Sequence, residues 1–267
     1  MRLPECKELA LTLEAGTLTI TFNRPQKRNA MNAALIREVI AVFTAVEGER
    51  SVRAIVICGS EGNFCAGGDI SDMNIDAADE ESAARATRSF NRDFGHMITR
   101  VNRAPQIVIT LLEGAVLGGG LGLACVSDIA IADEGAFFAM PETGLGIVPA
   151  QIAPFVVTRI GLTQARRLAL TGERISGTEA LALGIVHQLT HGNEQMRTRL
   201  KDLLQLITRC APGATAVTKR LLLDVGHEDL ERLLDRAADE FAAAMRGEEG
   251  KEGTRAFLEK RRPRWAE

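Results

Sequence analysis

Two apolar runs that each lead into a cluster of glycines constrain this chain more than any other feature of its sequence. The run RAIVIC (53–58) precedes FCAGGDI (64–70), and the run QIVITLL (106–112) precedes GAVLGGGLGL (114–123). A glycine inside a regular element costs about 0.5 to 1 kcal/mol relative to alanine. At a strand exit, glycine lets a ligand approach the backbone closely and leaves N–H groups free to bind it. Both runs therefore predict buried strands that end in loops able to offer backbone donors.

The segments around these runs predict further strands and helices. Residues 9–22 alternate apolar and polar around a short turn, a pattern typical of a β-hairpin. Asn32 is suited to cap a helix, because the apolar residues that follow recur at helical spacing. A polar helix is expected over 79–103, and short strands are expected at 128–132 and 136–140. The chain is thus predicted to be of the mixed α/β class.

The C-terminal part of the chain differs in pattern from the rest. A series of helices is predicted from about 193 to 260, separated at Pro212 and Gly226. We therefore divide the chain into an α/β core, residues 1–192, and a helical domain, residues 193–267. The apolar faces of these helices need a partner, which indicates oligomerisation.

Composition narrows the classes of partner. The formal net charge of −3 with only local basic clusters argues against nucleic acid as the main partner. The five cysteines form no C-x-x-C pair, which indicates free thiols in a reducing compartment, so we expect a cytoplasmic protein. No signal-like or membrane-spanning apolar stretch is present, so we expect no membrane association. The four histidines lack ligand spacing, and we expect no metal.

The two glycine clusters together have a chemical interpretation. Two loop N–H groups that converge on one oxygen would form an oxyanion hole, in which each donor contributes about 3 to 4 kcal/mol to the transition state. For either loop alone, glycines that serve only turns and close packing are the simpler interpretation. The Walker, dinucleotide-binding, nucleophile-elbow and zincin motifs are all absent from the sequence. It is the pairing of two such loops that favours a site.

Six segments, in order and spacing, resemble the crotonase family, also called the enoyl-CoA hydratase and isomerase superfamily. They cover nearly the whole chain and are FNRPQKRNAMN (22–32), FCAGGDI (64–70), GAVLGGGLGLACVSDIAIA (114–132), FAMPETGLGIVP (138–149), ALTGERISGTEALALGIVHQL (169–189) and AFLEKRRPRW (256–265). The resemblance implies a crotonase-like spiral of ββα units with a C-terminal helical trimerisation domain. It also implies a homotrimer or a dimer of trimers and an acyl-CoA thioester substrate. Coenzyme A is then part of the substrate, and no separate cofactor is expected.

The resemblance also implies catalytic residues, one position at a time. The two oxyanion amides fall on Gly68 and Gly119, and a catalytic glutamate falls on Glu142. Hydratases of the family commonly use a second glutamate, at the position where this chain has Gly122. A glutamate between proline and glycine is otherwise commonly a solvated loop acid. The spacing of Glu142 from the second glycine cluster, which matches the family, is what favours a catalytic role for this residue.

Residues for coenzyme A are implied in the same way. Arg24 and Arg28 are basic residues before the first predicted helix, and cations there would favour the phosphates. An exposed charge that binds nothing is the simpler interpretation of any one of them. The resemblance places Arg28 near the phosphates of coenzyme A. It places Ala66, Asp69 and Ile70 around the adenine. It also implies that Phe257 and Lys260 contact the coenzyme A of a neighbouring subunit.

A single carboxylate leaves the reaction open. The glycine at 122 and the segment LGIVPAQIAPFVVTRIG (145–161) look most like a subgroup of bacterial hydratases that act on branched glutaconyl-CoA thioesters. These substrates include methylglutaconyl-CoA and, in acyclic terpene breakdown, isohexenylglutaconyl-CoA. We therefore expect an enoyl-CoA hydratase. The alternatives are a double-bond isomerase that uses one glutamate, an acyl-CoA-binding relative with impaired catalysis, and a hydrolase or decarboxylase of the same family.

Overall fold

The structure, a computed structural model, describes residues 1–73 and 79–266. Its strands are, in chain order, β1 (Leu9–Glu14), β2 (Thr17–Phe22), β3 (Ala54–Gly59), β4 (Ile107–Leu112), β5 (Ala115–Leu117), β6 (Ile129–Asp133), β7 (Phe137–Ala139), β8 (Ile175–Ser176) and β9 (Gln188–Thr190). Its helices are α1 (Ala33–Val46), α2 (Ile70–Met73), α3 (Glu80–Arg103), α4 (Gly119–Val126), α5 (Ala153–Thr171), α6 (Gly177–Ala182), α7 (Gly192–Thr208), α8 (Pro212–Asp224), α9 (Leu230–Arg246) and α10 (Glu248–Leu258). The predicted α/β class is confirmed.

The N-terminal hairpin and the first helix form as their sequence patterns predict. Strands β1 and β2 pair antiparallel around Ala15 and Gly16, and both of these residues have the positive φ angles that a tight hairpin turn requires. The Asn32 side chain accepts a hydrogen bond from the Leu35 N–H at 2.8 Å and so caps α1. The regularly spaced apolar side chains of α1 are buried in the main core.

Two sheets organise the core. The larger sheet has the order β1-β2-β3-β4-β6-β9, in which β1 and β2 are antiparallel and the other neighbours are parallel. Strands β5, β7 and β8 form the smaller sheet. Because β4 belongs to the larger sheet and β5 to the smaller one, the chain changes sheets immediately before the second glycine cluster. The first cluster meets β5 through an isolated bridge between Cys65 and Val116.

Helices cover both faces of the larger sheet. Helix α3 packs on α1, and α4 packs on α5, which is kinked at Gly161. On the other face, Leu203 and Ile207 of α7 pack against Val56 and Ile109 of β3 and β4. Helix α7 begins beside the predicted domain boundary, and the division of the chain at residue 192 stays a prediction.

Helices α8 to α10 and their connections expose large apolar side chains. These are Leu222, Val225, Leu230, Leu234, Phe241, Met245, Phe257 and Leu258. Oligomerisation through this region, expected from the sequence, stays a prediction. Across residues 1–73 and 79–266, every helix is too short or too polar to cross a membrane.

Candidate active site

Backbone hydrogen bonds hold the first glycine loop in place. On one side, the Cys65 N–H donates to Ala115 O, and the Leu117 N–H donates to Cys65 O, both at 2.9 Å. On the other side, the Met31 N–H donates to Gly67 O at 2.8 Å, and Met31 O accepts from the Asp69 N–H at 2.9 Å. Gly68 is therefore fixed between two anchored neighbours.

The second glycine cluster starts helix α4. Gly118 has φ 49° and ψ −115°, a conformation open to glycine alone, and its N–H donates to Ala139 O at 3.0 Å. Gly119 is the first helical residue, and first-turn amides of a helix have no intrahelical acceptor. In the described part of the chain, neither the Gly68 nor the Gly119 N–H has a hydrogen-bond partner. Two anchored backbone donors are thus free to bind a ligand.

Both donors line one cavity of about 670 Å³. The cavity lies between α3, the first turn of α4 and the segment that leads into α5, and most of its lining is apolar. Its large apolar lining side chains include those of Met31, Phe90, Phe94, Ile147, Val148 and Ile152. A volume of this size belongs to pockets that bury drug-sized ligands. A second cavity of about 410 Å³ lies beside Arg53 and Gln106, away from the residues predicted for catalysis.

Glu142 also lines the cavity of the two glycines. It lies in a 3-10 turn, Pro141–Leu145, that follows β7. Its Oε1 is so close to Gly118 that a Cβ at residue 118 would be only 2.8 Å away. Its Oε2 is buried without a hydrogen-bond partner among the described residues. Desolvation raises the pKa of this carboxyl above the ordinary value, as suits a group that accepts and returns protons near neutral pH.

The structure explains the glycine at 122. Gly122 is buried in α4, and a Cβ there would lie 2.4 Å from Ile152 Cγ2 and 3.1 Å from Ile98 Cδ1. The side chain of Ile152, which also lines the cavity, therefore occupies the space that a second carboxylate would need. Sequence reasoning missed Ile152, because its contact with Gly122 joins two elements far apart along the chain.

The residues predicted to contact coenzyme A fall into two groups. Arg28, Ala66, Asp69 and Ile70 lie together around the first glycine loop; Arg28 is exposed, and its O accepts from the Ala66 N–H at 3.0 Å. Phe257, at the end of α10, is 82% exposed. Within the described residues, neither Phe257 nor Lys260 lines the cavity, so their predicted contact with a neighbouring subunit's substrate stays a prediction.

Arg24 corrects one expectation. It is buried, and its guanidinium forms ion pairs with Glu8 at 3.1 Å and with Asp69 at 3.0 Å. Hydrogen bonds from Ser71 and from Arg24 hold the pKa of the Asp69 carboxyl below its usual value. Arg24 is therefore a structural residue of the first glycine loop and does not offer its charge to a phosphate. Burial raises the pKa of the Cys65 thiol to about 12, which makes that loop cysteine an inert core residue.

Comparison with known proteins agrees with the fold and this arrangement. Residues 12–267 match the family described as Enoyl-CoA hydratase/isomerase. The chain is 30% identical over 260 residues to the short-chain-enoyl-CoA hydratase of Clostridium acetobutylicum, an alignment that covers 97% of each chain. The chain therefore belongs to the enoyl-CoA hydratase/isomerase family of the crotonase superfamily, whose members act on acyl-CoA thioesters, and the predicted family and enzyme class are confirmed.

Two solved structures are especially similar to this chain. One is an enoyl-CoA hydratase/isomerase from Marinobacter aquaeolei, and the other is AtuE of Pseudomonas aeruginosa. Each is 54% identical, covers 98% of this chain and 100% of its own, and superposes with a TM-score of 0.94. The predicted crotonase fold is confirmed, and the structure shows it with two sheets and C-terminal helices.

Proposed function

We propose that this protein is a hydratase that adds water across the 2,3 double bond of a branched enoyl-CoA, of the methylglutaconyl-CoA or isohexenylglutaconyl-CoA type. The observation that carries the proposal is one shared cavity, lined by the carboxyl of Glu142 and by the free amides of Gly68 and Gly119. Among the described residues, Oε2 of this carboxyl has no hydrogen-bond partner. An acyl-CoA substrate follows from the family.

The two amides hold the thioester carbonyl oxygen. As a nucleophile attacks C3, negative charge moves onto this oxygen, and the Gly68 and Gly119 N–H groups stabilise it as an enolate. The Gly119 amide also carries the positive end of the α4 dipole. Because the loop is anchored on both sides, little reorganisation is needed when the charge develops.

Glu142 moves the proton in both half-reactions. Its carboxylate accepts a proton from water as the water oxygen bonds to C3, and the carboxylic acid then returns a proton to C2. Water is added overall, and the carboxylate is regenerated. One carboxyl serves both steps, because Ile152 occupies the space beside Gly122 where a second one would lie.

The lining of the cavity supports a branched acyl group. The aromatic rings of Phe90 and Phe94 and the apolar segment 147–149 surround a volume that accepts a long apolar branch at C3. The same segment belongs to the stretch that resembles hydratases of branched glutaconyl-CoA thioesters.

The same geometry supports a second candidate. A single carboxyl also suffices to move a proton from C4 to C2 through the same enolate, which converts a 2-enoyl-CoA to its 3-enoyl isomer or the reverse. The observation that favours this isomerase is the closed space at Gly122, since the water then has one carboxyl rather than two to orient it.

Substrate assays separate the candidates. Wild-type enzyme is mixed with methylglutaconyl-CoA and with isohexenylglutaconyl-CoA, and the loss of absorbance of the conjugated thioester is followed. Loss of absorbance with formation of the 3-hydroxy product supports the hydratase. If neither thioester reacts and a 3-enoyl-CoA is converted to its 2-enoyl isomer, the protein is an isomerase and the proposed hydratase function is wrong. Binding of these thioesters without any turnover would indicate a protein that binds acyl-CoA and does not catalyse its conversion.

The pH dependence of hydration follows from the desolvation of Glu142. Only the carboxylate form accepts a proton from water, and burial raises its pKa above the ordinary value of 4.5. We therefore expect kcat/KM to fall as the pH drops through this raised pKa, so that the acidic limb lies above pH 4.5. The measurement is a pH profile of kcat/KM over the range in which the protein stays folded. A limb at or below the ordinary glutamate pKa would contradict this role.

Gly118→Ala tests the placement of the carboxyl. A Cβ at residue 118 would press on Glu142 Oε1 from 2.8 Å, and φ of 49° with ψ of −115° is strained for alanine. Because a displacement of about 1 Å can cost a hundredfold in rate, we expect kcat to fall by about ten- to a hundredfold with a smaller change in KM. Gly144→Ala is the matched control, since a Cβ there meets no atom within 4 Å. Equal kcat values for the two variants would show that Glu142 does not need this position.

A further inference from the structure

One face of helix α3 forms a wall of the catalytic cavity. Residues 84, 87, 88, 91 and 94 line the cavity, and their spacing places them on one side of the helix. Part of this wall is polar, because it includes Thr87, Arg88 and Asn91. The segment 147–149 contributes apolar side chains to the same cavity. A largely apolar cavity with a polar patch of donors on one wall is the feature that the proposed hydration does not use.

Arg88 differs from the other arginines of α3. Arg85 is paired with Glu81, and the Arg92 guanidinium donates to Gln151 Oε1 at 3.1 Å. Arg100 is paired with Glu47 at 3.1 Å, and Arg103 with Asp224 at 3.7 Å. Across residues 1–73 and 79–266, Arg88 has no hydrogen-bond or ion-pair partner. It is nevertheless the residue of this group that lines the cavity.

Neighbouring side chains order the wall beside Arg88. Gln151 Nε2 donates to Asn91 Oδ1 at 2.8 Å, and Gln151 Oε1 accepts from Arg92. With its oxygen engaged in this way, Asn91 retains its amide N–H groups as donors. Arg88 and Asn91 are one helical turn apart, so both can reach one anion.

Two charged residues line the cavity in the described part of the chain. They are Arg88 and Glu142. The pKa of Glu142 is raised by desolvation, and no cation contributes to its shift. Within residues 1–73 and 79–266, Arg88 forms no ion pair with Glu142, so the acid–base group does not engage its charge.

We propose that Arg88 determines substrate specificity by binding the distal carboxylate of a glutaconyl-type acyl group. This inference rests on the proposed function, whose substrates carry that carboxylate at the end of the chain remote from the thioester. A guanidinium binds a carboxylate through two parallel hydrogen bonds, and Asn91 adds a donor beside it. In a largely apolar cavity, a carboxylate without such a partner loses its hydration uncompensated. A neutral acyl group makes no use of Arg88, which is exposed and stays hydrated.

Binding of saturated thioesters tests the proposal without turnover. Glutaryl-CoA and butyryl-CoA differ at the end of the acyl chain, where glutaryl-CoA has a carboxylate. We expect wild-type enzyme to bind glutaryl-CoA more tightly, and Arg88→Gln to weaken that binding by about 10- to 100-fold, as loss of a charge-assisted hydrogen bond does. Binding of butyryl-CoA should change less than about twofold, because surface charges contribute little. Arg88→Lys should restore part of the preference, since it keeps the charge and loses the paired geometry.

Arg85→Gln is the matched control, because Arg85 lies on the same helix, is paired with Glu81 and does not line the cavity. This variant should bind both thioesters as wild type does. The proposal is overturned if wild type shows no preference, if Arg88→Gln keeps the preference, or if it weakens both thioesters equally, which would assign Arg88 to coenzyme A. Turnover of methylglutaconyl-CoA by wild type is measured separately. A binding preference without hydration would contradict the proposed reaction and leave Arg88 as a carboxylate-binding residue.

Discussion

Glu142→Gln should lower kcat for hydration by about 10²- to 10⁴-fold, the contribution expected of a general acid–base group. The amide is nearly the same size as the carboxyl but cannot accept the proton of water. KM should change little, because Gly68 and Gly119, and not Glu142, are proposed to hold the thioester oxygen. The measurement is steady-state hydration of the best substrate, and Glu14→Gln, at the exposed end of β1, is the control. A variant that retains more than about a tenth of wild-type kcat would contradict the role of Glu142.

The stability of this variant provides a second, independent result. Desolvation raises the pKa of Glu142 in the folded protein, so folding favours the neutral form. The stability that this group contributes is therefore present at low pH and is lost as the pH rises through the folded pKa. At neutral pH a glutamine avoids that loss, and we expect the free energy of unfolding in urea to stay equal or to rise. A lower free energy of unfolding would mean that the carboxylate has a structural partner.

Gly119→Pro should lower kcat by about a hundredfold or more, because it removes one of the two proposed oxyanion donors. Proline is favoured at the first position of a helix, where its missing N–H breaks no intrahelical bond. Gly119 is that position in α4, so the backbone should tolerate the change. The measurement is kcat together with the affinity for a substrate analogue that carries an enolate-like oxygen, and both should fall.

Gly119→Ala is the control for this substitution. A Cβ there would lie 2.5 Å from Met31 Cε and 3.0 Å from Phe94 Cε2, and both variants share this crowding. Only the proline variant loses the N–H. The ratio of the two kcat values therefore reports the donor itself, and equal values would assign the oxyanion role elsewhere.

Local patterns in the sequence predicted much of the fold. The hairpin, the capped helix α1 and both strands that lead to the glycine clusters follow from spacing alone, because each depends on residues close together in the chain. The short strand β5 was not predicted, since it lies inside the second glycine segment and depends on pairing with β7. The first half of helix α5, from Ala153 to the kink at Gly161, was not predicted, because the non-helical backbone at Gly161 interrupts the helical spacing.

The candidate site was predicted in part. Gly68, Gly119 and Glu142 do line one cavity, yet their convergence depends on backbone bonds from Met31 to the first glycine loop, which no periodicity reveals. Arg24 was misplaced because an arginine beside a proline gives no sign that Glu8 and Asp69 neutralise it. Arg88 was overlooked because the sequence does not show which arginines of α3 form ion pairs or hydrogen bonds. Only the structure shows that Arg88 lacks a partner among the described residues.

The contact between Gly122 and Ile152 limits how such an enzyme can evolve. A single change of Gly122 to glutamate would drive a side chain into Ile152, so a site with two acids is separated from this one by at least two coordinated substitutions. If position 122 changed first, its side chain would clash with Ile152; if Ile152 were made smaller first, a cavity would remain beside Gly122. Descendants of this chain are therefore expected to diversify through the cavity wall on α3 sooner than through the number of acids at the reaction centre.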